Sequence, residues 1–329
     1  MLNPTIAAAL AAPQEGQMDY RAIMDADVWA FIEETNAHHP ATLQGIDNQR
    51  GERHQRAQYN ALCAHFHPGR PQGVNVTDTN QAGVATRRYT RDAADNAQAT
   101  VEVLYIHGGG FVVGNLDTHD DICGTLCLDT GFAITAVDYR LAPEHKHPAA
   151  LEDCRTVLDQ LIAQSSGPVL VMGDSAGGWL AAMLACEVGA AVAGQLLIYP
   201  MLGGRLDQGS YLEHAEAPLL TTAQVKYYWE TYFDCPLRED ALTPPMAYQD
   251  VEGMAQLAPA VIIGAGCDPL YSDSPDYAAK LKQAGVNCRL HTERGLPHGY
   301  MRARHSAKSA RESYARVVEG LKDLAEGKI

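Results

Sequence analysis

Val169-Leu170-Val171-Met172-Gly173-Asp174-Ser175-Ala176-Gly177-Gly178 is an apolar run that ends in G-x-S-x-G, and an Ala/Leu-rich stretch follows it. The order reads as strand, sharp turn, helix. Small residues at 173 and 177 let the backbone bend tightly enough to lift a serine hydroxyl above a sheet. The N-terminus of the following helix adds partial positive charge where an oxyanion would develop, and the Ala176 N–H points the same way. A Gly-rich strand–helix turn that merely contains a serine is the bland alternative.

Outward from this turn, short apolar runs alternate with helical patterns. Strands are expected at Val84 to Tyr89, Val101 to His107, Ala133 to Tyr139, Val169 to Gly173, Gln195 to Tyr199, Ala260 to Gly264 and Cys288 to Thr292. Helices are expected near 118–129, 148–164, 176–189, 221–233, 274–284 and 304–325. Near-continuous apolar strands alternating with helices indicate a mostly parallel central sheet flanked by helices on both faces.

Two regions break the rhythm. Residues 1–65 read as helical, with apolar positions at 23, 24, 28, 31 and 32, and a Pro/Gly turn at 68–73 closes them. Residues 200–252 hold glycines, prolines and one aromatic helix carrying Tyr227, Tyr228, Trp229 and Tyr232. The expected division is an N-terminal helical cap part at 1–70, a catalytic domain at 71–199 and 253–329, and a cap insertion at 200–252. Two peripheral helical segments with no shared role are the alternative.

His107-Gly108-Gly109-Gly110-Phe111 ends the strand that starts at Val101. Three consecutive glycines imply a special backbone whose amides can face one point. Two of Gly108, Gly109 and Gly110, with Ala176, would cradle a tetrahedral oxyanion. No Lys-Ser/Thr follows, so a phosphate loop is disfavoured. His107 reads as an anchor of the loop rather than a base.

A serine nucleophile on such a sheet needs an acid and then a histidine, in that chain order. Asp268 follows the strand Ala260 to Gly264 in a Gly/Cys/Pro turn. Asp273 and Asp276 fall at a helix start, where acids commonly cap or meet the dipole. Of the later histidines, His291 lies in a strand and His305 on the last helix. His298 lies in the loop Leu296-Pro-His-Gly299, where such sheets place reactive groups.

Together these pieces carry a resemblance. His107 to Phe111, Asp138-Tyr-Arg-Leu-Ala-Pro-Glu144, Pro148-Ala-Ala-Leu-Glu-Asp153, Gly173 to Gly178, Tyr199-Pro200, Asp268-Pro-Leu270 and His298-Gly299 stand in the order found in hormone-sensitive-lipase-like α/β-hydrolases. That family consists mainly of bacterial carboxylesterases. The resemblance covers about 101–301 and implies Ser175, Asp268 and His298 as catalytic residues, with a helical cap. The sequence departs from the pattern at Trp179, where the family often has Asn, and at Tyr300, where Phe is usual. Trp179 must either pack under the cap or intrude on the pocket.

The expected activity is hydrolysis of short-acyl esters through an acyl-enzyme, with no organic cofactor and no metal. An amide or lactone hydrolase would use the same residues. A non-catalytic small-molecule binder is opposed by the presence of all three. His65, His67, His145 and His147 read as surface or loop histidines.

Among the 329 residues, 46% are hydrophobic, and the net charge is −15 with a pI near 5.2. An acidic surface disfavours nucleic acid and anionic membranes as partners. No apolar run approaches ~18 residues, so no membrane span is expected. Met1 to Ala12 reads as a helix start rather than a signal peptide. Eight scattered cysteines without metal spacing read as buried free thiols in a reducing cytoplasm. The expected partner is a small-molecule ester, with a homodimer left open.

Overall fold

A computed structural model describes residues 18–38, 51–92, 101–247, 254 and 256–329. The helix start expected at 1–12 lies outside the described residues, as do parts of the N-terminal helical region and the end of the insertion.

Eight strands form one sheet in the order β1-β2-β4-β3-β5-β6-β7-β8. They are β1 (Val74–Gln81), β2 (Val84–Arg91), β3 (Glu102–Ile106), β4 (Ala133–Val137), β5 (Val169–Asp174), β6 (Gly194–Ile198), β7 (Ala260–Cys267) and β8 (Cys288–Pro297). The pairs β1–β2 and β2–β4 are antiparallel, and the rest are parallel. The central strands are buried along their whole length because both faces are covered. Alternation sorts their side chains between two cores. Leu104, Ile106, Val171, Leu197 and Ile262 enter one core. Val103, Tyr105, Leu170, Met172, Leu196, Ile198, Val261 and Ile263 enter the other.

The longer helices among the described residues are α1 (Ala26–His38), α2 (Gly51–His65), α3 (Asp120–Thr130), α4 (Ala149–Gln164), α5 (Ala176–Val188), α6 (Thr222–Phe233), α7 (Asp273–Gln283) and α8 (Lys308–Ala325), with single helical turns at Tyr20–Ile23 and Ser210–Glu213. Helices α4, α5 and α7 cover the first core, and α1, α3 and α8 cover the second. Helix α6 starts with a capping box between Thr221 and Gln224, which satisfies two amide donors at once.

All seven expected strands are present, and the structure adds β1. Its sequence, Val-Asn-Val-Thr-Asp-Thr-Asn-Gln, is mostly exposed, and its two valines pack only partly against the second core. It joins β2 through a two-residue turn at Ala82 and Gly83, both at positive φ. Such turns match the strand twist, but Ala in place of Asn or Asp removes the usual signal. The last helix starts at Lys308, not at 304. Residues 300–305 form a separate 3₁₀ turn, and exposed His305 lies there, bonded to Asp121.

Candidate active site

Ser175 follows β5 directly and caps α5, with φ 55° and ψ −121°. A non-glycine residue rarely holds that conformation, and it persists only where its surroundings over-determine it. Here they do. The Ser175 amide donates to the Ile198 carbonyl at 2.9 Å. A Cβ on Gly173 would lie 2.3 Å from the Gly177 carbonyl oxygen, and one on Gly177 would lie 2.0 Å from that of Ile106. Only glycine fits at either position, which is the physical content of G-x-S-x-G.

His298 follows the last residue of β8, and Asp268 follows the last residue of β7. Parallel pairing brings both to the same end of the sheet as Ser175. His298 Nε2 lies 2.9 Å from Ser175 Oγ, and His298 Nδ1 lies 2.7 Å from Asp268 Oδ2. Asp268 is fully buried, and its other oxygen accepts the Leu270 amide at 2.9 Å. The Tyr199 ring packs against the His298 ring at 4.8 Å. Tyr300 has its hydroxyl 2.6 Å from that of Ser313, so the extra oxygen relative to Phe has a buried partner.

The rival acids are elsewhere. Asp276 is exposed. Asp273 is fully buried at the start of α7, where its carboxylate accepts the amides of Leu202 at 2.6 Å and Gly203 at 3.1 Å and the Tyr211 hydroxyl at 3.0 Å. It ties residues 202–211 to the start of α7. Burial pushes its carboxyl up to about 7.

The glycine loop is held from behind by Asp174. Asp174 Oδ1 accepts the Gly108 amide at 3.0 Å and the Tyr105 hydroxyl at 2.9 Å. The Gly108 amide is therefore already engaged. Among the described residues, the amides of Gly109, Gly110 and Ala176 donate to no protein acceptor. His107 is buried, stacks on Tyr139 at 4.2 Å, and has its Nδ1 2.8 Å from the Gly108 carbonyl oxygen. Burial pushes its imidazole down to about 3, so it stays neutral and acts as an anchor. Arg140 binds both oxygens of Asp153, and Arg56 of α2 binds both oxygens of Glu144, which gives the 138–153 motif its structural meaning.

A pocket opens over Ser175 and His298. Phe31, Gln55, Tyr59 and Leu62 line it from α1 and α2, Phe66 from the turn after α2, and Leu219, Leu220, Val225 and Tyr228 from the segment between β6 and β7. Trp179 does not line it. It packs among Phe111, Trp229, Tyr232 and Phe233, and its indole N–H donates to the Pro244 carbonyl at 2.6 Å. Of the two placements open from sequence, it takes the one beneath the insertion, and Trp229 and Tyr232 turn towards it.

His145 and His147 are exposed, as is His65, while His67 lies 3.2 Å from an Asp120 oxygen. Among the described residues, Glu34, His38 and His65 bring three ligand-type atoms within 4.8 Å of one another. All three are exposed, and the trio includes neither Ser175 nor its partners. The eight cysteines are free, five of them buried, two half-buried and Cys235 exposed.

Among the described residues, no helix is long and apolar enough to cross a membrane. A family model described as alpha/beta hydrolase fold matches residues 103–302. The chain is 38% identical over 268 residues to the esterase LipI of Mycobacterium tuberculosis, across 77% of this chain and 82% of that protein. It is 33% identical over 259 residues to an ethyl acetate hydrolase of Pseudomonas putida, across 75% of this chain and 81% of the relative. A solved bacterial heroin esterase is similar with a TM-score of 0.79 and 26% identity, across 92% of this chain and 98% of that one. The chain belongs to the hormone-sensitive-lipase-like carboxylic-ester hydrolases of the α/β-hydrolase fold.

Proposed function

We propose that the chain hydrolyses short-acyl carboxylic esters through an acyl-enzyme on Ser175, with His298 as general base and Asp268 as its orienting acid. The observation that carries this is the unbroken hydrogen-bonded chain from Ser175 Oγ through both His298 nitrogens to a fully buried Asp268. His298 takes the Ser175 proton as the alkoxide attacks the ester carbonyl. The oxyanion is met by the amides of Gly109, Gly110 and Ala176, with Gly108 given over to holding the loop. His298 returns the proton to the departing alcohol and then activates water against the acyl-enzyme. Asp268 fixes the imidazole tautomer and stabilises imidazolium.

The N-terminal helices and the 200–252 insertion act together as the cap. Hydrogen bonds from Tyr20 to His214 and from Gln55 to Tyr228 support this, as does their shared lining of the pocket. Free, mostly buried thiols fit a reducing cytoplasm.

The test is p-nitrophenyl butanoate hydrolysis by wild type and Ser175→Ala. The variant should lose on the order of 10⁶ in kcat with little change in stability. Retention of more than a tenth of the activity removes Ser175 as nucleophile.

A further inference from the structure

Helix α6 carries a run of aromatics, and they face different ways. Trp229, Tyr232 and Phe233 pack against Trp179. Tyr228 instead lines the pocket that contains Ser175. Its ring rests on the glycine loop: a Cβ on Gly110 would fall 2.3 Å from Tyr228 Cγ and Cδ1. No side chain at 110 could coexist with the ring in this position. The Tyr228 hydroxyl accepts a hydrogen bond from Gln55 Nε2 of α2 at 3.1 Å. One phenol thus touches the insertion, the N-terminal helices and the oxyanion loop.

Chemistry assigns a side to this wall. The departing alcohol oxygen must come within reach of His298 Nε2 to be protonated. The alcohol therefore leaves over His298, beside Tyr199 and Gly299. Tyr228 has no ring contact or hydrogen bond with His298 among the described residues, and it lies on the loop that would hold the oxyanion. From this we infer that Tyr228 sets acyl-chain length, closing the acyl end of the pocket over Gly110 while Gln55 holds its hydroxyl. The inference rests on the ester-hydrolase reading above and names the side chain that makes the substrate short.

A filled wall discriminates sharply, because an extra methylene that fits gains little while one that clashes displaces packed atoms. The experiment compares wild type with Tyr228→Ala, Tyr228→Leu and Tyr228→Phe on p-nitrophenyl esters from acetyl to dodecanoyl. A second series keeps the butanoyl group and varies the alcohol. Tyr228→Ala should raise the decanoyl-to-butanoyl ratio of kcat/KM by about tenfold or more, the scale on which a pocket discriminates by fit. Tyr228→Leu keeps part of the packing and should shift the ratio less, in the same direction. Tyr228→Phe keeps the ring and should keep the wild-type profile. The alcohol series should show no comparable shift.

An unchanged acyl ratio in folded Tyr228→Ala and Tyr228→Leu that still hydrolyse butanoate overturns the inference and leaves the ester reading standing. A shift confined to the alcohol series also overturns it. A folded wild type that hydrolyses none of these esters overturns the ester reading and the inference with it.

Discussion

The floor and the roof of the pocket are held by different kinds of force. The floor is backbone: Ser175, Asp268 and His298 stand immediately after β5, β7 and β8 of one sheet, and two glycines admit nothing larger. The two sides of the roof meet each other through side chains. Tyr20 bonds to His214 and Gln55 of α2 to Tyr228 of α6, and α2 meets the 138–153 segment through Arg56 to Glu144. Sheet registers allow little adjustment, whereas single side-chain bonds are each worth only about 1 kcal/mol. On the proposed reading, chemistry is set where the fold is stiff, and selectivity where one substitution can change it.

The sharpest way to break this contrast uses two buried aspartates five residues apart. Asp268→Asn should leave the fold intact and His298 in the wrong tautomer, costing about 10⁴ in kcat by analogy with other triads. Asp273→Asn touches only the joint between floor and roof and should cost less than about tenfold, since Asp273 bonds Leu202, Gly203 and Tyr211 rather than His298. Steady-state kinetics on butanoate decide it, and the reverse ranking would move the acid to Asp273.

Next in size is Trp179→Ala. Deleting a buried indole from the aromatic cluster should destabilise the chain by about 3–5 kcal/mol. Because Trp179 does not line the pocket, the acyl-chain profile should stay as in wild type. Denaturant melts and the ester series check the two halves, and a change of profile without loss of stability would put Trp179 back in the pocket wall.

The smallest expected effect concerns pH. Burial raises the Asp273 carboxyl from 3.8 to about 7 in the fold. Between those values the native state keeps a proton that the unfolded chain has lost. The stability this group contributes is therefore full below about 4 and lost as pH rises towards about 7. The melting temperature of wild type minus that of Asp273→Asn should be larger at pH 5 than at pH 7.5. A difference that grows with pH would show that the amide donors outweigh desolvation.

The strands and the Ser175 turn were legible because local sequence decides them: apolar runs are long enough to be buried, and Gly173 and Gly177 have no substitute. Asp268 and His298 were expected in turns beyond two strands, and the structure extends β7 and β8 up to them and brings both side chains beside Ser175. What escaped depends on neighbours remote in sequence. β1 has only Val74 and Val76 as apolar residues, too few to mark a strand, and it pairs along its whole length with β2. Trp179 could not be placed until residues 229–233 and Pro244 surrounded it. Four aromatics within six residues of α6 could not be sorted into pocket and core without the helix orientation. Asp174 was in plain sight inside G-D-S-A-G, but its hold on Gly108 spans 66 residues.

That hold has a consequence for anyone moving parts between proteins. Asp174 is covalently joined to the proposed nucleophile and hydrogen-bonded to the loop that would carry the oxyanion donors. The two parts of the device are thus geared together, and neither can be re-aimed alone. A loop grafted from a relative would bring its own glycines but inherit this chain's carboxylate and Tyr105 as its mount. Strand end, turn and loop therefore form the unit to exchange at this site, and a loop moved alone should lose its mount.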